Sequence, residues 1–336
     1  MRQWVIRQGA TSLDDLELRD VPQPVPGPGE VLVRVRACSL NYRDQAIPLG
    51  VYMGGVVPVD TVPLSDGAGE ITALGEGVTG LAVGDRVAGI FFQNWVDGPP
   101  NPHVGPALGA PPAAGMLQDY VVLPASGVVP LAASLSFAEA ACLPCAGVTA
   151  WNALMEGPRG VRTGGSVLVL GTGGVSLLAL QIAKAAGARV VATSSSDDKL
   201  ARVSAMGADI AINYRSQPEW GAEAARLTGG IDHVVEVGGA GTLAQSIAAV
   251  GFAGEIALIG VLTREGNTNP HGLMFKGATI RGIFVGSKGM AQRLNAFVDN
   301  HGIKPVIDRT FPIEQALDAY RYQQSAALFG KVVITL

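Results

Sequence analysis

The segment VLVLGTGGVS (167–176) follows an apolar run with a glycine-rich turn. Such a turn, where a strand ends and a helix begins, can bind phosphate, because backbone N–H groups at a helix N-terminus attract an anion. Gly171 allows a tight turn and Gly173 allows close approach of a pyrophosphate, whereas Ser176 departs from the small residue usual at the third position. The spacing favours a dinucleotide site over a plain glycine-rich turn. The predicted contacts are Gly171, Thr172, Gly173, Gly174 and Val175.

The next predicted strand and the start of its helix read RVVATSSSDDK (189–199). A site for NAD usually has an acidic residue about 20 residues after the fingerprint, bound to the ribose 2′-hydroxyl. Neutral hydroxyls, Ser194 and Ser195 among them, take that place here, and Lys199 adds a cation that would attract a 2′-phosphate. Ser196 can also cap the helix, and this simpler interpretation is compatible with the first. The segment predicts NADPH, with NADH the less favoured cofactor.

Strands and helices alternate around these two segments. Uninterrupted apolar strands that alternate with helices indicate a doubly wound parallel sheet covered on both faces. Strands are predicted at 166–171, 189–194, 209–214, 233–238, 254–260, 279–286 and 330–336, and helices at 173–187, 197–207, 219–229, 288–300 and 312–325.

The residues before 124 have a different pattern. EVLVRVRACSL (30–40) alternates apolar and charged residues as a half-buried strand does. Further short strands bounded by turn residues are predicted at 67–75, 84–92 and 117–124, which together indicate a β-barrel or sandwich. Residues 93–115 are rich in proline and glycine and predict a long irregular loop.

Composition excludes several classes of function. The 336 residues carry 24 basic and 28 acidic side chains, a net charge of −4, which gives no electrostatic footprint for nucleic acid or an anionic membrane. No apolar run approaches the ~18 residues of a membrane span, and no signal peptide is visible. Three cysteines without paired spacing favour a reducing compartment. We expect a cytoplasmic protein of about two domains that acts on a small molecule.

Together these segments resemble the medium-chain dehydrogenase/reductase superfamily over almost the whole chain. The resemblance rests on GDRV (84–87), LPCAGVTAW (143–151), VLVLGTGGVS and the GKVVI that follows residue 329. A zinc-free, alcohol-dehydrogenase-like branch close to quinone oxidoreductases of the zeta-crystallin type is similar in NYRD (41–44), PLSDGAGE (63–70), FFQNWVDGPP (91–100) and HVVEVGGAGTLAQS (233–246).

The resemblance implies an α/β fold with two domains and an active site in the cleft between them. A GroES-like β-barrel catalytic domain would span 1–123, completed by 287–336. A doubly wound parallel Rossmann domain would span 124–286 and bind the cofactor.

The resemblance also implies individual cofactor contacts. The positions of Ser195, Lys199 and Tyr214 contact the 2′-phosphate in NADPH-dependent quinone reductases. Thr149 matches a threonine that supports the nicotinamide ribose. The backbone near Val261 and at Phe284 and Val285 is similar to the segment that recognises the carboxamide.

Zinc members of the superfamily bind the catalytic metal with two cysteines and a histidine. The matching positions here are Asn41, Ser65 (followed by Asp66) and Cys145, so a single conventional ligand is present where three are needed. Residues 91–115 contain none of the four cysteines of a structural zinc lobe. We expect no zinc, and we interpret Cys145 as a small buried residue in preference to a nucleophile, since no histidine lies near it in sequence.

Without a metal to polarise an alcohol or aldehyde oxygen, substrates that accept hydride more readily are favoured. Quinones and α,β-unsaturated carbonyls qualify, because the negative charge left by hydride addition is delocalised as phenolate or enolate. The protein must then donate hydrogen bonds where that charge develops. Asn41 and Tyr52 are the predicted catalytic donors. Alternatively, Tyr52 only packs at the rim and Asn41 hydrogen-bonds its own backbone.

Three functions stay open at this point. The first is an NADPH-dependent reductase of quinones or activated alkenes. The second is a zinc-free alcohol dehydrogenase or carbonyl reductase, and the third is an NADPH-binding structural or regulatory protein without turnover. The predicted strand 279–286 resembles the edge strand through which relatives form dimers, so we also expect a homodimer.

Overall fold

The computed structural model describes residues 1–52, 55–260, 262–263, 265–325 and 327–336. By its internal contacts the chain divides into two compact units. The first comprises Met1–Val148 with Gly286–Leu336, and the second comprises Thr149–Val285. The first unit therefore contains both ends of the sequence. It extends beyond residue 123, where the sequence analysis places the boundary, because a strand at residues 128–130 joins its sheet.

The elements, numbered in chain order within the described residues, are these. The strands are β1 (Arg2–Ile6), β2 (Leu16–Asp20), β3 (Glu30–Ser39), β4 (Asp66–Leu74), β5 (Arg86–Gly89), β6 (Tyr120–Pro124), β7 (Val128–Pro130), β8 (Ser166–Leu170), β9 (Arg189–Ser194), β10 (Ile210–Asn213), β11 (Ile231–Glu236), β12 (Val250–Leu258), β13 (Thr279–Gly282), β14 (Ile307–Pro312) and β15 (Lys331–Thr335). The α-helices are α1 (Tyr42–Ala46), α2 (Phe137–Ala140), α3 (Val148–Met155), α4 (Gly174–Ala185), α5 (Asp197–Ala205), α6 (Trp220–Thr228), α7 (Leu243–Ala249), α8 (His271–Lys276), α9 (Lys288–His301) and α10 (Ala316–Gln323).

The first unit is built on a largely antiparallel sheet in the order β14-β15-β3-β4-β5-β7, with β6 also paired to β3 and a separate β1–β2 hairpin. Strand β3 pairs with three neighbours, β4, β6 and β15. Its predicted alternation is present: Val31, Val33 and Val35 are buried in the core, whereas Arg34 is exposed. This sheet, together with its turns and loops, is the predicted GroES-like domain.

The second unit contains a six-stranded parallel sheet in the order β10-β9-β8-β11-β12-β13. If β8 is counted as the first strand, this is the 3-2-1-4-5-6 order of a dinucleotide-binding Rossmann sheet. Strands β8 and β11, on the two sides of the switch in strand order, consist almost wholly of buried residues. The predicted doubly wound parallel sheet is confirmed, and its ligand edge is the one at which the carboxyl ends of these strands lie.

Several details differ from the sequence prediction. A π-helical turn at Leu143–Gly147 leads into α3, neither of which the pattern predicted. Residues 93–115 contain no helix or strand, as expected. Phe91 and Phe92, which directly precede this loop, and Trp95 within it pack inward and are each at most 3% exposed. These three rings therefore belong to the core of the first unit.

Among the described residues, no helix is long and apolar enough to cross a lipid bilayer.

Candidate active site

The glycine-rich turn after β8 presents open space where a phosphate would lie. Gly171 has a φ of +71°, a left-handed conformation that favours glycine. Gly173 is the N-cap of α4 and caps it with no side chain. A Cβ added at either glycine would meet no described atom within 4 Å. The first N–H groups of α4 thus face a free volume, and the positive end of the helix dipole favours an anion there.

Ser176, the departure from the glycine pattern, has a structural explanation. Its hydroxyl donates a hydrogen bond of 2.7 Å to the carbonyl oxygen of Leu170, the last residue of β8. The residue is only 2% exposed, so the bond satisfies a buried polar group and ties helix to strand at their closest approach. Serine at this position is therefore compatible with the fingerprint.

The residues predicted to contact a 2′-phosphate lie together at the carboxyl ends of β9 and β10. Ser194 pairs with Asn213 across these strands, and the N–H of Tyr214 donates to the carbonyl of Ser194 at 3.1 Å. Tyr214 is 42% exposed. Lys199 lies in the first turn of the adjacent helix α5, where its N–H donates to the Ser196 hydroxyl. The predicted N-cap role of Ser196 is thus present.

Val285 has a backbone conformation that a β-branched residue rarely adopts. Its φ is +55°, a strained value for valine. The side-chain amide of Asn152 donates to the Val285 carbonyl at 2.8 Å, and the amide oxygen of Asn152 accepts from Arg281 at 2.9 Å. The neighbouring Phe284 is 47% exposed. Strain held by a hydrogen-bonded support is typical of functional segments, and this is where the carboxamide contact is predicted.

The two remaining predicted cofactor residues are Thr149 and Val261. Thr149 is 3% exposed near the start of α3. Val261 lies outside the described residues.

A buried carboxylate that the sequence analysis missed organises the turn after β11. Glu236 is fully buried and accepts hydrogen bonds from the N–H groups of Gly238 and Gly239, at 2.7 and 2.9 Å, and from the hydroxyls of Thr242 and Ser246. Four donors satisfy the buried charge and fix the backbone at the ligand edge of the sheet. An acidic residue directly after two valines, at the end of β11, was the available signal.

The first unit contains a buried polar cluster around Asn41, the N-cap residue of α1. The Asn41 side-chain oxygen accepts from the ammonium of Lys331 at 2.6 Å. The ammonium also donates to the carbonyl of Leu40 at 2.7 Å and lies 3.9 Å from Asp66 Oδ2. Asn41 Nδ2 is buried and has no hydrogen-bond partner among the described residues. Asn41 also opens a capping box with Asp44, whose carboxylate accepts from the Asn41 backbone N–H at 2.7 Å, so the simpler interpretation as a helix-capping residue stands beside the contact with Lys331.

Asp66 accepts hydrogen bonds on the other side of this cluster. It is fully buried, and its oxygens accept from the Ser65 hydroxyl at 2.8 Å and from the Cys145 backbone N–H at 3.2 Å. Two of the positions that resemble a metal site, Ser65 and Cys145, therefore contact the same carboxylate. Lysine 331 is the cation that faces it, and sequence reasoning missed this residue although it stands in the GKVVI segment.

Tyr52 is supported by a buried arginine. Arg43 Nε donates to the Tyr52 hydroxyl at 3.3 Å, and its guanidinium carbon lies 5.1 Å from the Tyr52 ring centroid and 4.7 Å from that of Phe91. Arg43 also donates to the carbonyl of Leu108 at 2.7 Å. Because Arg43 donates to the tyrosine oxygen, the hydroxyl hydrogen remains available for another acceptor.

Burial changes the ionisation of several groups in the first unit. It raises the pKa of Asp44 to about 6, a shift that the nearby Arg43 opposes. Burial, followed by the negative charge of Asp66, raises the pKa of the Cys145 thiol well above its usual range. Burial also raises the pKa of the Cys142 thiol to about 12. Both cysteines are therefore neutral thiols near pH 7. Cys142 is buried, whereas Cys145, predicted to be buried, is half-buried.

Comparison with known proteins identifies the family. The alcohol dehydrogenase GroES-like domain matches residues 27–133, and a family described as zinc-binding dehydrogenase matches residues 174–300. A zinc-type alcohol dehydrogenase-like protein of Schizosaccharomyces pombe is 45% identical over 99% of both chains. A 2-methylene-furan-3-one reductase of Solanum lycopersicum is 33% identical over 96% of this chain and 76% of its own.

Among solved structures, an NAD-dependent alcohol dehydrogenase is similar over the full length of both chains, with 36% identity and a TM-score of 0.89. The chain therefore belongs to the medium-chain dehydrogenase/reductase superfamily, among its alcohol-dehydrogenase-like members. It is an oxidoreductase of that family.

The family description implies zinc, but the residues present do not fit it. The positions that resemble metal ligands supply one thiol, one amide and one hydroxyl, and the thiol holds its proton. A lysine ammonium already lies among them, so a divalent cation would meet a like charge in a buried place. Across the residues the structure describes, no group of three or more His, Cys, Asp or Glu side chains could hold a metal ion.

Proposed function

We propose that this protein is an NADPH-dependent, zinc-independent reductase that transfers a hydride to a quinone or an α,β-unsaturated carbonyl compound. The observation that carries the proposal is the buried cluster of Lys331, Asn41 and Asp66 at the positions that resemble a metal site. A lysine there supplies a positive charge without a Lewis acid, so the favoured substrates delocalise negative charge on their own atoms.

The second unit supports binding of the cofactor. The open space before Gly171 and Gly173 fits a pyrophosphate, and the N-terminal N–H groups of α4 would bind it. Ser194, Ser195, Lys199 and Tyr214 would hold a 2′-phosphate, since no acidic residue of β9 would repel it. Thr149 would contact the nicotinamide ribose, and the backbone at Val261, Phe284 and Val285 would recognise the carboxamide. When bound, NADPH supplies the hydride.

The first unit supports the substrate side of the proposal. The hydroxyl of Tyr52 keeps its hydrogen free because Arg43 donates to its oxygen, so it can donate to a carbonyl oxygen on which charge develops. The amide nitrogen of Asn41 is the second candidate donor, since a buried N–H group without a partner gains most from a new acceptor. Its enclosed position means that this contact requires a small rearrangement around Asn41.

The test is consumption of NADPH with a panel of quinones and enones, including 1,4-benzoquinone and 2-cyclohexen-1-one, before and after treatment with a metal chelator. We expect turnover that the chelator does not change and that falls by at least about 10-fold in Tyr52→Phe. Turnover that the chelator abolishes, or tight NADPH binding without turnover of any member, would reject the proposal. The second result would favour a structural or regulatory protein.

Two of the relatives favour different classes of substrate. The tomato relative is named for reduction of a compound whose methylene carbon is conjugated with a ketone, which favours an activated alkene. The solved relative is named as an alcohol dehydrogenase that uses NAD. Oxidation of simple alcohols by this protein, with a larger kcat/KM than enone reduction, would favour the second candidate, a zinc-free alcohol dehydrogenase or carbonyl reductase.

We also propose that the protein forms a homodimer through β13. This strand stands at the end of the parallel sheet, and apolar side chains near it are exposed: Ile280 at 38%, Met274 at 67% and Phe275 at 74%. An edge strand with exposed apolar side chains on it and on the preceding helix is a surface that proteins normally cover. Light scattering should give twice the mass of one chain, and Ile280→Lys should give a monomer. A monomeric wild-type protein would contradict the proposal.

A further inference from the structure

Lys331 is a charged residue in a place where charged residues are rarely found. It begins β15 and is only 4% exposed. Lysine is almost never buried to this extent unless it is paired. Here its ammonium donates to the Leu40 carbonyl at 2.7 Å and to Asn41 Oδ1 at 2.6 Å, and it lies 3.9 Å from Asp66. All three partners lie on or beside the segments that carry the candidate site of the first unit.

The contact fixes which way the amide of Asn41 faces. An ammonium group has three donors and no acceptor, so only the oxygen of the amide can face it. The nitrogen must then lie on the opposite side, where it is buried without a partner among the described residues. Rotation about the last torsion of an asparagine side chain is soft and roughly two-fold, so without Lys331 the amide could turn around.

We propose that Lys331 is a positioning residue that orients the Asn41 amide nitrogen as a donor and balances the buried charge of Asp66. The lysine thereby supplies, from the chain itself, the positive charge that a metal ion would otherwise bring to this cluster. The catalytic consequence rests on the proposed function of Asn41, whereas the orientation of the amide can be measured without any substrate.

The direct test uses the side-chain amide signals of protein labelled with ¹⁵N in its nine asparagines. The Asn41 pair is assigned by its loss in Asn41→Ala. In Lys331→Met we expect this pair to shift and its exchange with solvent to rise by at least about 10-fold, while the other pairs stay in place. Lys288→Met, at another partly buried lysine of the first unit, should leave the Asn41 pair unchanged. An unchanged Asn41 pair in folded Lys331→Met would overturn the proposal.

Removal of Lys331 alone leaves Asp66 buried without its cation, so the single variant can fail to fold. The double variant Lys331→Met/Asp66→Asn removes both charges together, so the buried cluster keeps no unpaired charge. The same displacement of the Asn41 pair is expected there, and its absence in the folded double variant would count against the proposal in the same way.

Kinetics separate this inference from the proposed function. With 2-cyclohexen-1-one we expect Lys331→Met to lower kcat by about as much as Asn41→Ala, on the order of 10-fold, with no further loss in the combined variant and with the Kd for NADPH unchanged. If the loss of kcat in the combined variant equalled the product of the two single losses, the residues would act independently and the proposed coupling would be overturned. If Asn41→Ala keeps full kcat while the amide signal moves in Lys331→Met, the catalytic role of Asn41 fails and orientation by Lys331 stands.

Discussion

The turn after β8 and the cluster around Asn41 are built in opposite ways. In the turn, backbone groups would do the binding, and the side chains of Gly171 and Gly173 are absent so that a ligand can approach. In the cluster, side chains of Asn41, Lys331 and Asp66 hold one another in a buried place. A site made of backbone depends on one short segment, whereas a site made of side chains depends on strands that are far apart in the sequence.

The largest effect should come from the backbone site. In Gly173→Val the branched side chain enters the free volume before α4, so we expect the Kd for NADPH to rise on the order of 1000-fold, as at least two charge-assisted hydrogen bonds of about 1.5–3 kcal/mol are lost. No described atom lies within 4 Å of the added Cβ, so stability should stay nearly unchanged. Fluorescence titration measures the Kd.

Gly282→Val is the matched control, because a Cβ there also meets no described atom within 4 Å. It should bind NADPH as the wild type does. If Gly173→Val binds NADPH normally, the turn after β8 is not the phosphate site, and the contrast with the side-chain cluster no longer holds.

In the first unit, the largest expected effect is a change in the free energy of unfolding with pH. Burial raises the pKa of Asp44 to about 6, so between about pH 4 and pH 6 the folded protein holds a proton that the unfolded chain has lost. Stability therefore falls as pH rises through this window, by about 3 kcal/mol from this group. Asp44→Asn cannot ionise and should lack this loss, so urea unfolding should show its advantage over the wild type growing from pH 4 to pH 7.

Asp14→Asn, at a carboxyl group that is 75% exposed, should keep the wild-type slope. Parallel pH profiles for Asp44→Asn and the wild type would mean that Asp44 ionises normally in the folded state. The surroundings of Asp44 would then be more open to water than the structure indicates.

A smaller effect is expected at the end of β9. Lys199→Ala should raise the Kd for NADPH by about 10-fold, because one charge-assisted contact to the 2′-phosphate is lost. NADH, which has no such phosphate, is the internal control and should bind as before. Equal weakening of both cofactors would place Lys199 away from the 2′-phosphate.

The smallest effect is expected at Cys145. Its thiol stays protonated near pH 7, since burial and the charge of Asp66 raise its pKa. Only its backbone N–H contacts the cluster, through Asp66 Oδ2. Cys145→Ala should therefore keep kcat/KM within about two-fold for enone reduction. A loss of more than about 10-fold would show that the sulfur takes part in the chemistry.

The two regions also differ in how far the sequence predicts them. Periodicity and glycine spacing predicted the parallel sheet and the turn at 171–176, because each depends on residues that are close in sequence. The contacts of Lys331 were not predicted, because β3 and β15 are joined only by the antiparallel pairing of strands almost 300 residues apart in sequence. Likewise, no local pattern could reveal that Asn152 and Arg281 hold Val285 in its left-handed conformation.

The position of Lys331 after the whole second unit in the sequence has a consequence for synthesis on the ribosome. Residues 149–285 form a continuous unit that can begin to fold while later residues are still being added. The other unit cannot finish before β15 is made, because β15 pairs with β3, and β15 follows all of residues 149–285 in the sequence. We therefore expect the nascent protein to acquire its nucleotide-binding half first, while Asp66 still lacks its lysine partner.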